Sequence, residues 1–506
     1  MPTHLLSKSS FIKGLQCDKH LYLYKYHYKE MDELSEMQKA IFQRGTNVGV
    51  LAQQLFPGGI DTSPKNHFDY NSCLKKTTKE IKSGSKIIYE AGFQFNEVLI
   101  IADIIVKEKN GLSRRSEAKT EWKIYEVKSS TSISETYLND AALQYYVISN
   151  SGLKIKDFSI VYLNNQYIRN GELDINSLFI VESVLEHIFP LQDFVMENVE
   201  RFKKVLLKKR IPDIDIGEHC YNPYICGFYN YCRKHIPKDS IFDLSGMHLN
   251  KKYDLYRDGI IELDDVPEDY PLTKKNKLQL KAYKSGKTEI DADSIMDFVD
   301  DLNYPLYFMD FETFQPAVPL FDNSKPYQQI PFQYSIHYKK TKNSEIVHSE
   351  FLAEAGDDPR KKFIEKLLEA TKQPGDIVVY NKSFEITRLK EIARDFPEYS
   401  EEIDERISRI KDLMVPFQRN YYYAPEMKGS YSIKYVLPAL LPELSYNELE
   451  INEGGLASIA FESLFNETDM MKVADTREQL FEYCKLDTLA MVRILEELDK
   501  LINNIN

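Results

Sequence analysis

Hydrophobic and polar positions follow both helical and strand periods along this chain, which predicts a mixed α/β protein. Residues 1 to about 55 have helical spacing, and the pattern in "MQKAIFQRGTNVGVLAQQLFPGG" ends at a Pro-Gly-Gly turn. The stretch "KIIYEAGFQFNEVLIIADIIVKE" predicts strands, and "WKIYEVKSS" predicts a further strand beyond a charged loop, "KNGLSRRSEAKTE". The stretch "ETYLNDAALQYYVISNSG" predicts a helix that stops at Gly152.

The second half of the chain has its own α/β pattern and no sequence repeat of the first. Residues from about 250 to 291 are polar with little strand signal, which indicates a helical connector. After them "PLYFMDFETF" begins a strand, and "TREQLFEYCKLDTLAMVRILEEL" has the spacing of a long last helix. We therefore predict an α/β fold with a domain over 1–240, a helical connector over 241–300 and a domain over 301–506.

Length and composition agree with this division. A chain of 506 residues exceeds what one hydrophobic core ordinarily supports. The first residues lack the apolar stretch of a secretory signal, and no run approaches the roughly 20 apolar residues of a membrane helix. We expect a cytoplasmic protein with no membrane partner. The net charge of −13 argues against coating nucleic acid but permits a local basic channel.

The strand "WKIYEVKSS" places Glu126 and Lys128 on one face, because strand residues two apart point the same way. Asp103 lies in the preceding apolar strand, where a lone carboxylate is costly to bury without a metal or a partner. If the two strands pair, Asp103 and Glu126 could bind a divalent cation, and Lys128 could stabilise a charged transition state. The alternative is an Asp103–Lys128 ion pair with Glu126 in solvent.

With its strand–loop–strand–helix setting, this constellation resembles the PD-(D/E)XK nuclease superfamily and its RecB-like branch. The resemblance implies that Asp103, Glu126 and Lys128 are catalytic and that Gln144, on the following helix, helps to hold the site. It matches Glu90 with an upstream acidic position. It also matches Asn47 with a ligand that is often histidine in that branch.

Half of the six cysteines lie in the stretch "HCYNPYICGFYNYC", as Cys220, Cys226 and Cys232. Such a cluster in a reducing compartment is more often a metal site than a disulfide set. RecB-like nucleases with an iron–sulfur cluster have one cysteine before the nuclease core and three after it, and Cys17 has the first of these positions. The resemblance implies a 4Fe–4S cluster on these four cysteines. Zinc held by the four, or by three with His219 or His235, is the alternative, as is a set of buried thiols.

A second constellation combines the strand "LYFMDFETF" with the last helix. Asp310 and Glu312 share a strand face, where two carboxylates repel each other unless a cation lies between them. Tyr483 and Asp487 are four residues apart and therefore share a helix face. The alternative is that Asp487 is a helix-surface acid and Glu312 a strand-end residue.

This order of motifs resembles the DEDD exonucleases of the ribonuclease H-like fold, in the subgroup that uses tyrosine. In those enzymes acidic residues hold two metal ions at one scissile phosphate. The resemblance implies metal binding by Asp310, Glu312 and Asp487, with Tyr483 acting on the attacking water. It also assigns Glu385, after Asn381, to the position where that family usually has aspartate. Asp412 is a further acid in this interval that we do not take as a ligand.

Over most of its length the chain resembles a bacterial family, described as a domain of unknown function, that fuses the two nuclease types. The marks include "LSKSSFIKGLQC", "YFMDFETFQPAVPLF", "YNKSFE" and "GSYSIKYVLPAL". The resemblance implies a Mg²⁺- or Mn²⁺-dependent nuclease with 3′–5′ exonuclease activity, DNA being favoured over RNA, and a second phosphodiester-cleaving site in the N-terminal half. The alternatives are a nucleic-acid-binding module with inactive sites and a zinc-stabilised RNA-processing nuclease. The sequence does not indicate protein partners.

Overall fold

A computed structural model describes residues 5–66, 69–108, 121–446 and 448–505. The chain forms two compact units, one of Met1–His235 with Ala317–Tyr327 and one of Ile236–Pro316 with Gln328–Asn506. Both mix helices with strands, which confirms the α/β class. The residues predicted to connect the domains, 241–300, lie within the second unit. The predicted loop over 109–120 lies outside the described residues.

The first unit has one large sheet with helices around it. Its strands are β1 (Leu6–Ser7), β2 (Ile60–Asp61), β3 (Ile87–Phe95), β4 (Val98–Glu108), β5 (Glu121–Lys128), β6 (Ile155–Leu163) and β7 (Phe179–Ser183). Its helices are α1 (Lys8–Gln16), α2 (Asp18–Tyr26), α3 (Glu36–Ala52), α4 (Tyr70–Ser83), α5 (Glu135–Asn150), α6 (Ile175–Leu178), α7 (Leu185–Ile188), α8 (Gln192–Leu206) and α9 (Tyr229–Cys232).

The centre of this sheet is an antiparallel set, β3–β4–β5, to which β6 adds in parallel through the crossover helix α5. The β4–β5 ladder ends with the pair Ile104 and Tyr125, so Asp103 and Glu126 are the residues just beyond its last pair. Helix α5 begins where the Ser134 hydroxyl accepts the Tyr137 N–H, and it ends at Asn150. Its buried face packs into the main core of the unit. The strands and the helix predicted around Asp103 and Glu126 are confirmed.

The second unit has a five-stranded sheet, a separate two-stranded sheet and a long C-terminal helix. Its strands are β8 (Glu289–Ile290), β9 (Leu306–Phe314), β10 (Ile330–Lys339), β11 (Ile346–Leu352), β12 (Ile377–Val379), β13 (Ile410–Asp412) and β14 (Tyr422–Tyr423). Its helices are α10 (Leu249–Arg257), α11 (Lys274–Ser285), α12 (Ala292–Asp300), α13 (Arg360–Ala370), α14 (Lys382–Asp395), α15 (Ser400–Ser408), α16 (Val415–Gln418), α17 (Ile433–Leu440), α18 (Gly454–Ser463) and α19 (Met470–Ile505).

The order of the main sheet is β11-β10-β9-β12-β13. Strands β9, β10 and β11 form an antiparallel meander, whereas β12 and β13 run parallel to β9. One face packs against α13, where the rings of Phe311 and Phe363 meet edge to face. The opposite face carries Asp310 and Glu312 and packs against α19, because alternate strand residues point to opposite faces. In the part of the chain that is described, no helix is both long enough and apolar enough to cross a bilayer.

Two candidate acidic sites and a cysteine cluster

The first candidate site lies where β4 and β5 pair, and it joins Asp103 to Glu126. The Asp103 carboxylate accepts a 2.7 Å hydrogen bond from the Val127 N–H, which ties it to β5. Glu126 is only 2% exposed. The predicted pairing of these two acids is therefore present in the structure, on adjacent strands of the central sheet.

Two lysines and a second aspartate complete this site. Glu126 Oε1 lies 2.6 Å from Lys8 Nζ and 2.8 Å from Lys128 Nζ. Lys128 Nζ also lies 2.7 Å from Asp140 Oδ2. Sequence reasoning missed Lys8 and Asp140. Asp140 had a signal, since it precedes Gln144 by one helical turn, whereas Lys8 had none beyond its place in the motif "LSKSSF".

The acids of the first site differ in pKa because each has different charged groups near it. Burial and the neighbouring Glu126 raise the pKa of Asp103 to about 7. Burial and Asp103 raise the pKa of Glu90 to about 8. Burial opposes ionisation of Glu126, but the Lys128 and Lys8 ammonium groups outweigh it and hold the pKa of Glu126 below its usual range. The negative charge of Glu126 is thus balanced by two lysines of the same unit.

Several buried polar atoms at this site lack a protein partner among the described residues, and these atoms fit a hard cation with its water. They are Glu126 Oε2, Asp140 Oδ1 and both side-chain polar atoms of Gln144, which is completely buried. Such atoms ordinarily bind water or an ion. Asn47, the position matched with a family ligand, lies on the exposed face of α3, where its side-chain oxygen accepts a hydrogen bond from Gln43.

The four predicted cysteines line one small cavity in the first unit. Cys17 immediately follows α1, and Cys220, Cys226 and Cys232 come from the end of the unit. All four are free thiols, and burial raises the pKa of Cys226 to about 12. Cysteine thiolates are the usual ligands of iron–sulfur clusters and of structural zinc, and these four share one cavity. His219 also lines this cavity, whereas His235 is not among the described residues that line it.

The second candidate site lies between β9 and α19. Ligand atoms of Asp310, Glu312 and Cys484 all lie within 4.8 Å of one another. A cavity of about 160 Å³ opens beside them, and its walls consist of Asp310, Phe311, Glu312, Tyr380, Ile433, Lys434, Tyr483, Asp487 and Met491. The predicted strand pair and the predicted helix pair therefore meet at one cavity.

Helix α19 presents Tyr483 and Asp487 to this cavity, as their spacing predicts. Asp487 Oδ1 accepts a 2.7 Å hydrogen bond from the Tyr446 hydroxyl, and Tyr483 also donates to this carboxylate. Asp487 is 7% exposed. Tyr446 is a residue that sequence reasoning missed, because it lies in an irregular segment without a motif. The two phenol hydroxyls hold the Asp487 side chain in place, but they do not balance its negative charge.

Glu385 approaches the same site from the first turn of α14. Its side chain is 1% exposed, and its Oε2 atom has no hydrogen-bond partner among the described residues. Burial and the proximity of Asp310 raise its pKa well above the usual range. Asp412 has a different role, since its carboxylate accepts the N–H groups of Asn381, Lys382 and Met414 at 3.0, 3.2 and 3.0 Å. Asp412 therefore fixes the start of α14.

Negative charge is in excess at the second site. Burial and Asp487 raise the pKa of Asp310 well above its usual range, and burial with Asp310 does the same to Glu312. Burial raises the pKa of Asp487 to about 6. Lys434 acts to lower the pKa values of Glu312 and Asp487, and its Nζ lies 5.7 Å from the centres of both the Tyr446 and Tyr483 rings. Oxygen ligands with this excess of charge fit Mg²⁺ or Mn²⁺.

Comparison with known proteins connects the chain to uncharacterised families. Residues 307–432, which include Asp310, Glu312 and Glu385, match a family described as a domain of unknown function, DUF2779. An uncharacterised protein of Ureaplasma parvum is 29% identical over 259 residues, which are 46% of this chain and 36% of that protein. An uncharacterised protein of Mycoplasma genitalium is 23% identical over 407 residues, which are 71% of this chain and 61% of that protein. The chain thus spans less than two thirds of either relative's length.

Proposed function

We propose that the protein is a metal-dependent nuclease whose second unit removes nucleotides from the 3′ ends of DNA. The observation that carries the proposal is the convergence of Asp310 and Glu312 on β9 with Asp487 on α19 around one cavity. Three carboxylates around one cavity, with Glu312 and Asp487 buried and Asp310 partly buried, repel one another unless divalent cations are bound. Acid sets that bind two such ions are typical of phosphodiester cleavage.

The architecture of each unit supports the same proposal. The second sheet joins a three-stranded antiparallel meander to two strands parallel to β9, an order compatible with a ribonuclease H-like fold. The first unit has the sequence α4, β3, β4, β5, α5, β6, a helix–three-strand–helix–strand core compatible with a PD-(D/E)XK nuclease. In both units a pair of candidate acids lies on central strands, Asp103 with Glu126 in the first and Asp310 with Glu312 in the second.

Bound Mg²⁺ or Mn²⁺ would supply the activation of the attacking water and the stabilisation of the leaving oxygen. Asp310, Glu312 and Asp487 would hold these ions, and Glu385 would be the candidate for a further oxygen ligand. The hydroxyl of Tyr483 would orient the water. Burial and the neighbouring Asp487 raise the pKa of Tyr483, which favours a hydrogen-bond donor over a base. Lys434 would moderate the repulsion among the acids before the ions bind.

The first unit is a candidate for a second phosphodiester-cleaving site. Asp103 and Glu126 would bind the cation, Lys128 would stabilise charge on the phosphate, and Gln144 would hold the site together. One observation favours a second candidate function for this unit, namely binding without cleavage. Lys8 and Lys128 already neutralise Glu126, so this site needs a metal ion less than the other does.

For the cysteine cavity we propose a structural 4Fe–4S cluster. Cys17 follows α1, and the other three cysteines follow α8, so a cluster would join the two ends of the first unit. A cluster of this kind contributes to folding through the loop it closes. Brown colour, a broad absorbance shoulder near ~400 nm and stoichiometric iron support the cluster, whereas colourless protein with stoichiometric zinc supports the zinc alternative.

The decisive experiment is a substrate panel on the whole protein. End-labelled single- and double-stranded DNA and RNA are incubated with Mn²⁺ and the wild type, Asp103→Asn or Asp310→Asn. Asp499→Asn, which changes an acid on α19 at a distance from the cavity, is the control. We expect stepwise release from 3′ ends of DNA by the wild type and the control, and its loss in Asp310→Asn. Binding without cleavage by the wild type would replace the nuclease proposal with the binding module.

A further inference from the structure

The second acidic site contains a sulfur atom that none of the proposed nuclease chemistry uses. Cys484 is completely buried on α19, three residues before Asp487, so both side chains lie on the helix face that packs against the sheet. Its Sγ lies 4.0 Å from Asp310 Oδ2, and it belongs with Asp310 and Glu312 to the group of ligand atoms within 4.8 Å. The residue pattern alone does not place a thiol among these acids.

These separations suit one shared cation. A zinc ion binds sulfur at about 2.3 Å and carboxylate oxygen at about 2.1 Å, which places two ligands on tetrahedral zinc about 3.6 Å apart. The observed 4.0 Å between Cys484 and Asp310 requires only a small side-chain adjustment to reach that geometry. Magnesium, by contrast, binds oxygen ligands and has little affinity for sulfur. The thiol therefore favours zinc over magnesium at this site.

A second observation at the same site also indicates a missing ligand. Glu385 is 1% exposed, its Oε2 atom has no partner among the described residues, and its ionisation is opposed by Asp310. A buried, unpartnered carboxyl group of this kind ordinarily binds an ion or water. Glu385 is outside the group of ligand atoms within 4.8 Å, but its charge interacts with those of Asp310 and Glu312, so an unsatisfied buried carboxyl group lies near the cluster.

We infer that Asp310, Glu312 and Cys484 form a mixed oxygen–sulfur site for a thiophilic divalent cation of the zinc class, and that this cation inhibits the enzyme. The inference rests on the proposed nuclease function for its consequence, because the same carboxylates would hold the ions that support cleavage. On binding, the thiol proton passes to solvent and a metal–sulfur bond forms, with no oxidation or reduction. With Mg²⁺ or Mn²⁺ the Cys484 thiol remains a spectator.

The experiment uses ¹¹³Cd²⁺ as a zinc-class probe on the full-length protein and records the ¹¹³Cd NMR spectrum. The chemical shift of cadmium reports how many sulfurs bind it, so a one-sulfur site is resolved from the four-cysteine cavity of the first unit. We expect a one-sulfur resonance in the wild type, its loss in Cys484→Ser and its retention in Cys73→Ser. Cys73 is a matched control, since it is a buried thiol in the other unit, away from the cysteine cavity.

Zinc inhibition gives the second readout. We expect the Zn²⁺ concentration that halves Mn²⁺-supported cleavage to rise at least about tenfold in Cys484→Ser, as the loss of one good metal ligand implies. The same concentration should be unchanged in Cys73→Ser. If Cys484→Ser does not fold, Glu312→Gln replaces it, and this variant should shift or abolish the same cadmium resonance.

The possible results separate this inference from the proposed function. A wild-type spectrum without a one-sulfur resonance overturns the inference, whether or not the protein cleaves nucleic acid. A one-sulfur resonance that persists in Cys484→Ser overturns it as well. A resonance that depends on Cys484, in a protein that cleaves no substrate with any metal, supports the metal site and removes the nuclease proposal.

Discussion

The two acidic sites of this protein differ in how the negative charge of their carboxylates is balanced. In the first unit, Lys8 and Lys128 contact Glu126 directly and hold its pKa below the usual range. In the second unit, Asp310 and Glu312 have no comparable cation among the described residues, and their pKa values are raised well above the usual range. The second site therefore depends on added cations, whereas the first is largely neutralised by its own lysines.

Paired acids, whether on neighbouring strands or two residues apart on one strand, therefore do not by themselves indicate the same need for metal ions. Burial of an isolated carboxylate is costly, and a protein offsets that cost with a lysine, a proton or a metal ion. The first unit combines lysines for Glu126 with a raised pKa for Asp103. In the second unit Lys434 lowers the pKa of Glu312 and Asp487 only in part, so protons or metal ions must balance the remaining charge.

The largest effect should be on cleavage, and it should be confined to one site. Asp310→Asn removes a metal ligand and should lower Mn²⁺-dependent release of 3′ nucleotides by roughly a thousandfold or more. Asp103→Asn should change the same rate by less than about tenfold, because it acts in the other unit and on a site already neutralised. Rates are measured with 3′-labelled DNA, with Asp499→Asn as control. The reverse pattern would assign the exonuclease to the first unit.

The next effect concerns the free energy of unfolding, which substitutions at the two sites should change in opposite directions. Glu126→Gln leaves Lys8 and Lys128 without their shared carboxylate and should lower the free energy of unfolding by about 3 kcal/mol. Asp310→Asn, measured without divalent metal, should instead raise it by about 1 kcal/mol, because repulsion is relieved. Chemical denaturation measures both. The exposed Glu97→Gln is the control for the first unit, and equal signs at the two sites would contradict the contrast.

The pH dependence of stability should reveal the raised pKa values of both units, including those of Asp103 and Glu90, and the Asp310→Asn variant separates the contribution of the second unit. The folded protein retains protons on carboxyl groups such as Asp487, with a pKa of about 6, at pH values where the unfolded chain has lost them. Unfolding then releases protons, so metal-free stability should fall as pH rises from about 4, by about 1–2 kcal/mol, and level off above these raised pKa values. Thermal unfolding between pH 5 and 8 measures the fall. Saturating Mn²⁺ should reduce it, and Asp310→Asn should reduce it even without metal.

The smallest effect is expected at Asn47, the residue matched with a family metal ligand. Its side chain is exposed and bonded to Gln43, so Asn47→Ala should change stability by less than about 0.5 kcal/mol. The Mn²⁺ affinity of the first site should also be unchanged, which manganese electron paramagnetic resonance measures in the Asp310→Asn background. A clear loss of affinity would show that α3 moves its exposed face into the site when metal binds.

Much of the fold around the sites could be predicted from local patterns. The strands that carry Asp103, Glu126, Asp310 and Glu312 alternate clearly between apolar and polar positions, and α5 and α19 have long helical repeats. The residues from 241 to 300 were predicted to be helical, and α10, α11 and α12 lie there. Their membership of the second unit could not be predicted, because a polar segment does not show which core its few apolar residues join.

The sequence by itself determined which acids share a face, since a period of two in a strand and a spacing of four in a helix follow from backbone geometry. It therefore paired Asp310 with Glu312 and Tyr483 with Asp487. Only the tertiary structure decided which partners these acids meet, because contact between distant segments depends on how the elements pack. Lys8 reaches Glu126 across 118 residues, and Cys484 lies 174 residues from Asp310. Those two contacts decide how much each site depends on metal ions and which kind of cation the second can bind.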